Sequence, residues 1–366
     1  MEAQIERGAF AEESNWVARV LPLRPLNPVL SAILLDAQDG TLHMSGTDQE
    51  ASSSTSISST TITPGKVAVS GRLIADIAKS LPAKPVHLKL EGNRLLVACG
   101  RASFKIPTLP IEEYPQLPES PPPVGSIGGE LFSDSIGRVA FASAKDDMLP
   151  VLAGIYLEFG ESVMTMAATN RYRLAVMEIP WDDGVTVEEP VILRSKTLSD
   201  LSRPSSPVPV HISLDHKISL FGVASGGRRS TMPVLDGQFP DFKRLIPDSS
   251  ETVAQVNVAE LVDAAKRVRI VADKPNVPIK LRFSDSEVFM SAGNDIDAGA
   301  NEIVECKIEG SIVEIAFNPE YLLEALAALR EPTVQFFMKD STKPALLKCV
   351  DDPAYQHLLM PVRITS

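Results

Sequence analysis

The chain has 366 residues, of which 44% are hydrophobic, 47 are acidic and 35 are basic, for a net charge of −12. This exceeds one ordinary domain of about 150 residues, and so large an apolar fraction excludes a disordered chain. An acidic protein does not coat nucleic acid with its whole surface, although bases gathered on one inner face still meet phosphate there.

Taken in chain order, the first helix is expected from Glu6 to about Leu21, with Phe10, Val17 and Val20 on one side. A second follows Ser70 as its cap and places Ile74, Ile77, Ala78 and Leu81 at i, i+3, i+4 and i+7. The strands VHLKLEG and RLLVACG flank Gly92-Asn93, a hairpin signal, and SFKIPTLP continues from them. The stretch LPESPPPVGS reads as a short, stiff, solvent-exposed linker and ends a first domain at 1–120. A helix from about Glu130 to Ala144, with Phe132, Ile136 and Val139 apolar, opens a second domain at 128–248, and a short helix near Ser195 to Arg203 follows. The third domain, 249–366, opens with a helix capped by Asn257, with Glu260 three residues on and Val258, Leu261, Val262, Ala265 and Val268 as the buried stripe. Asn318-Pro319-Glu320 starts the last helix, and Leu322, Leu326 and Leu329 share one face of it.

The N-terminus has acids where a signal peptide needs an apolar core, and no run reaches the ~20 apolar residues of a membrane span, so a cytoplasmic location is expected. Cys99, Cys306 and Cys349 are far apart and lack C-x-x-C spacing, which points to packed thiols and away from metal or disulfide chemistry. Adjacent carboxylates occur at Asp146-Asp147 and Asp351-Asp352, but neighbours in an extended chain face opposite ways, poor geometry for a shared acid–base pair. No nucleophile-elbow, zinc-protease, Walker or dinucleotide fingerprint occurs, so no enzyme activity and no cofactor are expected.

The stretch from Pro150 to Val176 occurs in similar form twice more. Asn27 to Ser52 repeats its order of Pro-Val-Leu, strand, turn, strand and Thr-Asp/Asn, with Asp48 and Asn170 standing 122 residues apart. Val277 to Ala300 is a weaker third copy. Two helices per repeat make six, most of which carry Arg or Lys beside an apolar stripe. Basic residues near helix ends also favour the helix dipole and solubility without any ligand. If two chains close head to tail, twelve helices at about 9 Å spacing enclose a hole about 35 Å across, wide enough for a DNA duplex.

Several blocks carry a specific likeness in order and spacing: Leu23-Arg24-Pro25 before Pro28-Val29-Leu30, SGRLIADIAKSLP, GRASFKIPTLPIEEYPQLP, DDMLPVLAG, ATNRYRLAV, DGQFPDFKRLIP and LLMPVRI. Through them the chain resembles, over essentially its whole length, the bacterial DNA polymerase III beta subunit family of sliding clamps. The resemblance implies an α+β fold of three tandem clamp repeats, with helices lining a ring, antiparallel sheets outside and a head-to-tail homodimer. The implied function is to encircle double-stranded DNA without sequence readout and confer processivity on the replicative polymerase. The implied partners are the DNA polymerase III alpha subunit, the clamp loader, and other polymerases and repair proteins bearing short clamp-binding motifs.

DNA-lining candidates are Arg24, which matches a family position, and Arg72, Lys79, Arg138, Lys196, Arg203, Lys266 and Arg267, which rest on helix placement. By resemblance, a peptide-binding pocket comprises Leu152, Thr169, Arg171, Tyr172, Arg173, Leu174, Pro240, Arg244, Leu245, Met360, Pro361, Val362 and Arg363. Ordinary core positions are the alternative for its apolar members. Phe104 matches the first-domain edge of the dimer joint, or is a plain core residue, while Ile270 and Val271 match its third-domain side. Two departures bear on the pocket: Asn170 stands where the family has Asp, and Met232-Pro233 where it commonly has a basic residue. They motivate an alternative, a specialised or inhibitor-resistant second copy of the clamp.

Overall fold

In the computed structural model, helices begin where a polar side chain satisfies the first free backbone amides. Asn257 accepts the Glu260 amide at 3.1 Å, and Asn318 accepts those of Glu320 and Tyr321 at 2.9 and 3.2 Å. The structure describes residues 1–363 apart from 147, 182–184, 186, 203–207, 273–276 and 294–297. Six α-helices lie among the described residues: α1 (Arg7–Val17), α2 (Gly71–Ser80), α3 (Gly129–Ala140), α4 (Ser195–Leu201), α5 (Val258–Arg269) and α6 (Pro319–Ala327).

The differences from expectation have local causes. The first helix starts under Glu6, whose carboxylate accepts the Gly8 and Ala9 amides, and ends at Val17; Val20 and Leu21 are buried from the turn that follows. Burial alone does not separate a helix from a turn, and Pro22 biases Leu21 away from helical backbone. Ser70 precedes α2 but makes no side-chain cap bond. In α5 the stripe is Leu261, Ala264, Ala265 and Val268, while Val258 and Val262 are only half-buried. The proline-rich linker is docked and not free: Pro121 is buried, and the Pro122 carbonyl accepts the Leu214 amide at 3.1 Å.

The chain folds into two compact units, Met1–Asp134 with Trp181–Leu235, and Ser135–Pro180 with Asp236–Ser366. In the first, twelve antiparallel strands form one sheet in the order Glu2–Ile5, Val86–Glu91, Arg94–Cys99, Ala102–Leu109, Gly65–Ser70, Ala32–Gln38, Thr41–Thr47, Ser52–Thr63, Arg228–Pro233, Leu220–Ser225, Val210–Asp215 and Pro123–Ile127. Helices α1 and α2 pack together, and α1 lies on the strands Thr41–Thr47 and Ser52–Thr63. In the second unit the order is Gly154–Phe159, Val163–Thr169, Arg173–Pro180, Tyr355–Leu359, Ala345–Lys348, Thr333–Met338, Thr252–Asn257, Gly299–Gly310, Glu287–Gly293, Ile279–Ser284 and Val313–Phe317. There α5 packs on α6 and on the strands Gly299–Gly310 and Glu287–Gly293.

Each unit contains one place where strands of successive repeats meet. Ser52, Ser53 and Ser54 pair with Thr231, Ser230 and Arg229, and Ser52 and Thr231 share a 2.7 Å hydroxyl hydrogen bond. Arg173 through Met177 pair with Leu359 through Tyr355, a longer and more apolar seam. The same edge-to-edge device thus extends both sheets past a repeat boundary. Met232, one of the two departures, is buried in the first unit's core.

Candidate functional site

The Pro-Val-Leu motif folds alike in both strong copies, as 3-10 turns Pro28–Ser31 and Pro150–Ala153 that deliver the chain into the strands Ala32–Gln38 and Gly154–Phe159. The Thr-Asp/Asn motif closes the other end of each hairpin. Thr169 Oγ donates to the Arg173 carbonyl at 2.6 Å, and Asn170 Oδ1 accepts the amides of Tyr172 and Arg173 at 3.1 and 3.2 Å. This leaves Arg171 at φ +75°, a conformation L-residues seldom adopt, and carries Tyr172 outward. The amide oxygen therefore does what a carboxylate would, which answers the doubt raised by Asn170.

Two further segments of the second unit are fixed near this hairpin, one on its turn and one on its first strand. The Met360 amide donates to the Tyr172 carbonyl at 2.9 Å, and the Val362 amide donates to Ala316 at 2.8 Å, which fixes the C-terminal segment. Phe239 and Phe242 pack on Tyr156 with ring centroids 5.2 and 5.5 Å away, and Lys243 pairs with Glu158 at 2.7 Å. These contacts hold Pro240, Arg244 and Leu245 beside the strand Gly154–Phe159. Each segment carries an exposed apolar side chain: Tyr172 is 62% accessible, Leu245 50% and Met360 40%. Arg171, Arg244 and Arg363 are exposed, while Pro361 and Val362 are half-buried. An apolar surface with adaptable Met and aliphatic walls and a few cations suits short peptides.

Four of the expected pocket residues lie deeper. Leu152, Thr169, Leu174 and Arg173 are all buried, Arg173 being 2% accessible, so its charge is turned inward. Its guanidinium bonds to the Glu324 carboxylate and the Phe141 carbonyl and lies between the rings of Phe141 and Tyr321, 5.1 and 4.5 Å from their centroids. Beyond Phe141 stack His357, at 5.5 Å, and Tyr355, over whose ring lies Arg138. Tyr321 in turn stacks on Tyr172 at 6.4 Å. Sequence reading missed Phe141, Tyr321, Glu324 and His357 because they come from three distant segments. The hidden signal was an aromatic and a carboxylate at i and i+3 on α6.

Arg138 is a correction to the DNA-lining candidates. It is buried, with its guanidinium on the Asp352 carboxylate and the Ala328 carbonyl, so it braces the second unit and is not available to phosphate. The same contact gives the Asp351-Asp352 pair a structural use. Arg203 and Asp147 lie outside the described residues. Arg24, Arg72, Lys79, Lys196, Lys266 and Arg267 are exposed. Arg72 also donates to the Leu21 carbonyl at 3.0 Å, and Arg267 pairs with Glu302 at 2.6 Å, which raises its own pKa and lowers that of the carboxylate. The three cysteines are buried thiols, and burial pushes the pKa of Cys306 and Cys349 up.

Phe104 is half-buried on the strand Ala102–Leu109, which pairs with Gly65–Ser70 only through Leu109 and Thr108. Among the described residues no strand is recorded against the remainder of that edge. Ile270 is 74% exposed, and Val271 beside it is half-buried.

Repeated helix and antiparallel-sheet units, joined strand edge to strand edge and with exposed bases on their helices, define a tandem-repeat DNA clamp. The profiles for the N-terminal, central and C-terminal domains of the DNA polymerase III beta subunit match residues 1–118, 126–241 and 243–363. The chain belongs to this family, the DNA sliding clamps, which are processivity factors and not catalysts. It is 40% identical to the beta sliding clamp of Streptomyces coelicolor over all of both chains, and 36% identical to the beta sliding clamp homolog GriR of Streptomyces muensis over 99% of each. The crystal structure of the Pseudomonas aeruginosa DNA polymerase III subunit beta superimposes with a TM-score of 0.92 at 29% identity, with both chains fully covered. Relatives named simply beta sliding clamp, the S. coelicolor protein among them, favour an ordinary clamp over a specialised copy. Membership implies DNA, a polymerase and further copies of the chain as partners. No helix among the described residues is long and apolar enough to cross a membrane.

Proposed function

We propose that two copies close head to tail around duplex DNA in the cytoplasm and slide on it. The three domains are 1–120, 128–248 and 249–366. Exposed Arg24, Arg72, Lys79, Lys196, Lys266 and Arg267 meet phosphates, with Arg203 as a further candidate, while the pocket of the second unit takes peptides of the DNA polymerase III alpha subunit, the clamp loader and repair proteins. Phosphate contacts carry no sequence information, so a basic lining holds DNA weakly and residence comes from closure.

The observation that carries the closure is the recurring strand joint. Thr47, Thr169 and Gly293 end equivalent strands, and across their turns they face Ser52, Leu174 and Gly299. Ser52 pairs with Thr231 and Leu174 with Leu358. The hairpin pair Ser225 and Arg228 corresponds to Cys99 and Ala102, so Thr231 corresponds to Lys105. A third joint of the same kind, made between two copies, sets Gly299 opposite Lys105, Ala300 opposite Phe104 and Asn301 opposite Ser103. The small Ala300 leaves room for the Phe104 ring, and Ile270 with Val271 supplies apolar cover.

Cysteines at Phe104 and Ala300 are expected to cross-link two chains under mild oxidation, whereas cysteines at Phe104 and Asn301, on opposite faces, are not. Loaded by a clamp loader on a nicked circular plasmid and cross-linked only afterwards, the dimer should stay bound until the plasmid is linearised. A monomer in sedimentation, or release from the intact circle by a working loader, would refute the ring.

A further inference from the structure

We propose that Glu324, on α6, is a positioning residue for the peptide pocket, acting on its rim through Arg173 and Tyr321. The inference deepens the pocket reading above and rests on it. Arg173 is 2% accessible, and a buried guanidinium needs a carboxylate to be tolerable there. Glu324 supplies it, reaching one terminal nitrogen while the Phe141 carbonyl takes the other; Nε has no partner among the described residues. With both terminal nitrogens engaged, the guanidinium is held in place within reach of the rings of Phe141 and Tyr321.

Two consequences reach the rim. Tyr321 contacts the guanidinium, 4.5 Å from the ring centroid, and also the exposed Tyr172, 6.4 Å away. The Arg173 backbone is also the closing residue of the turn that raises Tyr172, since its carbonyl accepts Thr169 Oγ and its amide donates to Asn170. Glu324 thus governs both the ring behind Tyr172 and the residue that follows it, without touching a peptide. Glu324 is 33% accessible at its side chain, so the carboxylate reaches from the surface to the buried cation. Sequence spacing does not reveal this link, because Arg173 and Glu324 are 151 residues apart.

The test uses the full chain and a fluorescein-labelled hexapeptide with leucine and phenylalanine anchors, followed by anisotropy and by thermal melting. Glu324→Gln is expected to weaken peptide binding about tenfold, through faster dissociation, and to lower the melting temperature. The double variant Arg173→Met with Glu324→Met removes both charges and is expected to regain the melting temperature but not the affinity. Unchanged affinity in Glu324→Gln overturns the proposal, and so does affinity that returns together with stability in the double variant, which assigns a merely structural role. Leu245→Asp separates the two readings. If it abolishes binding while Glu324→Gln does not, only the positioning role fails; if neither variant affects binding, the pocket fails and the proposal with it.

Discussion

Asp48 and Asn170 do the same work in two repeats: Asp48 Oδ1 accepts the amides of Glu50 and Ala51 at 3.0 and 2.7 Å, as Asn170 Oδ1 accepts those of Tyr172 and Arg173. Each turn also places its second residue, Gln49 or Arg171, at positive φ. Only one oxygen of the side chain is used, so carboxylate and amide are interchangeable at this position.

Asn170→Asp is therefore expected to change neither stability nor peptide affinity appreciably. Asn170→Ala should cost about 1 kcal/mol in denaturant unfolding, since one exposed and one part-buried amide lose their acceptor. Equal losses in the two variants would show that the charge state matters after all.

Arg24→Glu and Arg138→Glu should part company. The first, at an exposed position, is expected to weaken DNA contact and lower the salt dependence by about one phosphate contact, while sedimentation still shows a dimer. The second strands a carboxylate beside Asp352 and should cost at least about 3 kcal/mol in unfolding measurements.

His357 predicts a pH dependence. Burial, aided by the charge of Arg173, pushes its pKa down to about 3 from an ordinary 6.5. Above 6.5 the imidazole is neutral in folded and unfolded chains, and its contribution is fully present. As pH falls from 6.5 towards 3, only the unfolded chain takes up the proton, so stability drops by up to about 1.4 kcal/mol per pH unit from this group. His357→Phe should flatten that part of a stability curve measured by urea titration, with the ring stack on Phe141 retained.

Met360→Ala should weaken peptide binding several-fold with little change in melting, because 40% of the side chain is exposed and its backbone bond to Tyr172 survives. Deleting Met360 to Ser366 should do more, removing also the Val362 bond to Ala316, and a melting curve measures that part of the loss.

The repeats, the six helices and the turn that raises Tyr172 were legible along the chain, because periodic apolar positions, Asn caps and a repeated Thr-Asp/Asn turn are local signals. Exposed bases at Lys79 or Lys266 were equally legible, lying off an apolar stripe within one helix. The burial of Arg138 and Arg173 was not legible for one reason: each stands on a helix or strand like its exposed counterparts, and their carboxylate partners Asp352 and Glu324 are far away in sequence.

The sequence by itself determined which elements form, in what order and three times over, since propensity, capping and hydrophobic period act within about a dozen residues. The tertiary structure alone decided which cations face solvent, which aromatic rings stack between them and which strand edges are left open. Those depend on what the rest of the chain brings alongside, and desolvation then allows a buried charge only where a carboxylate arrives with it.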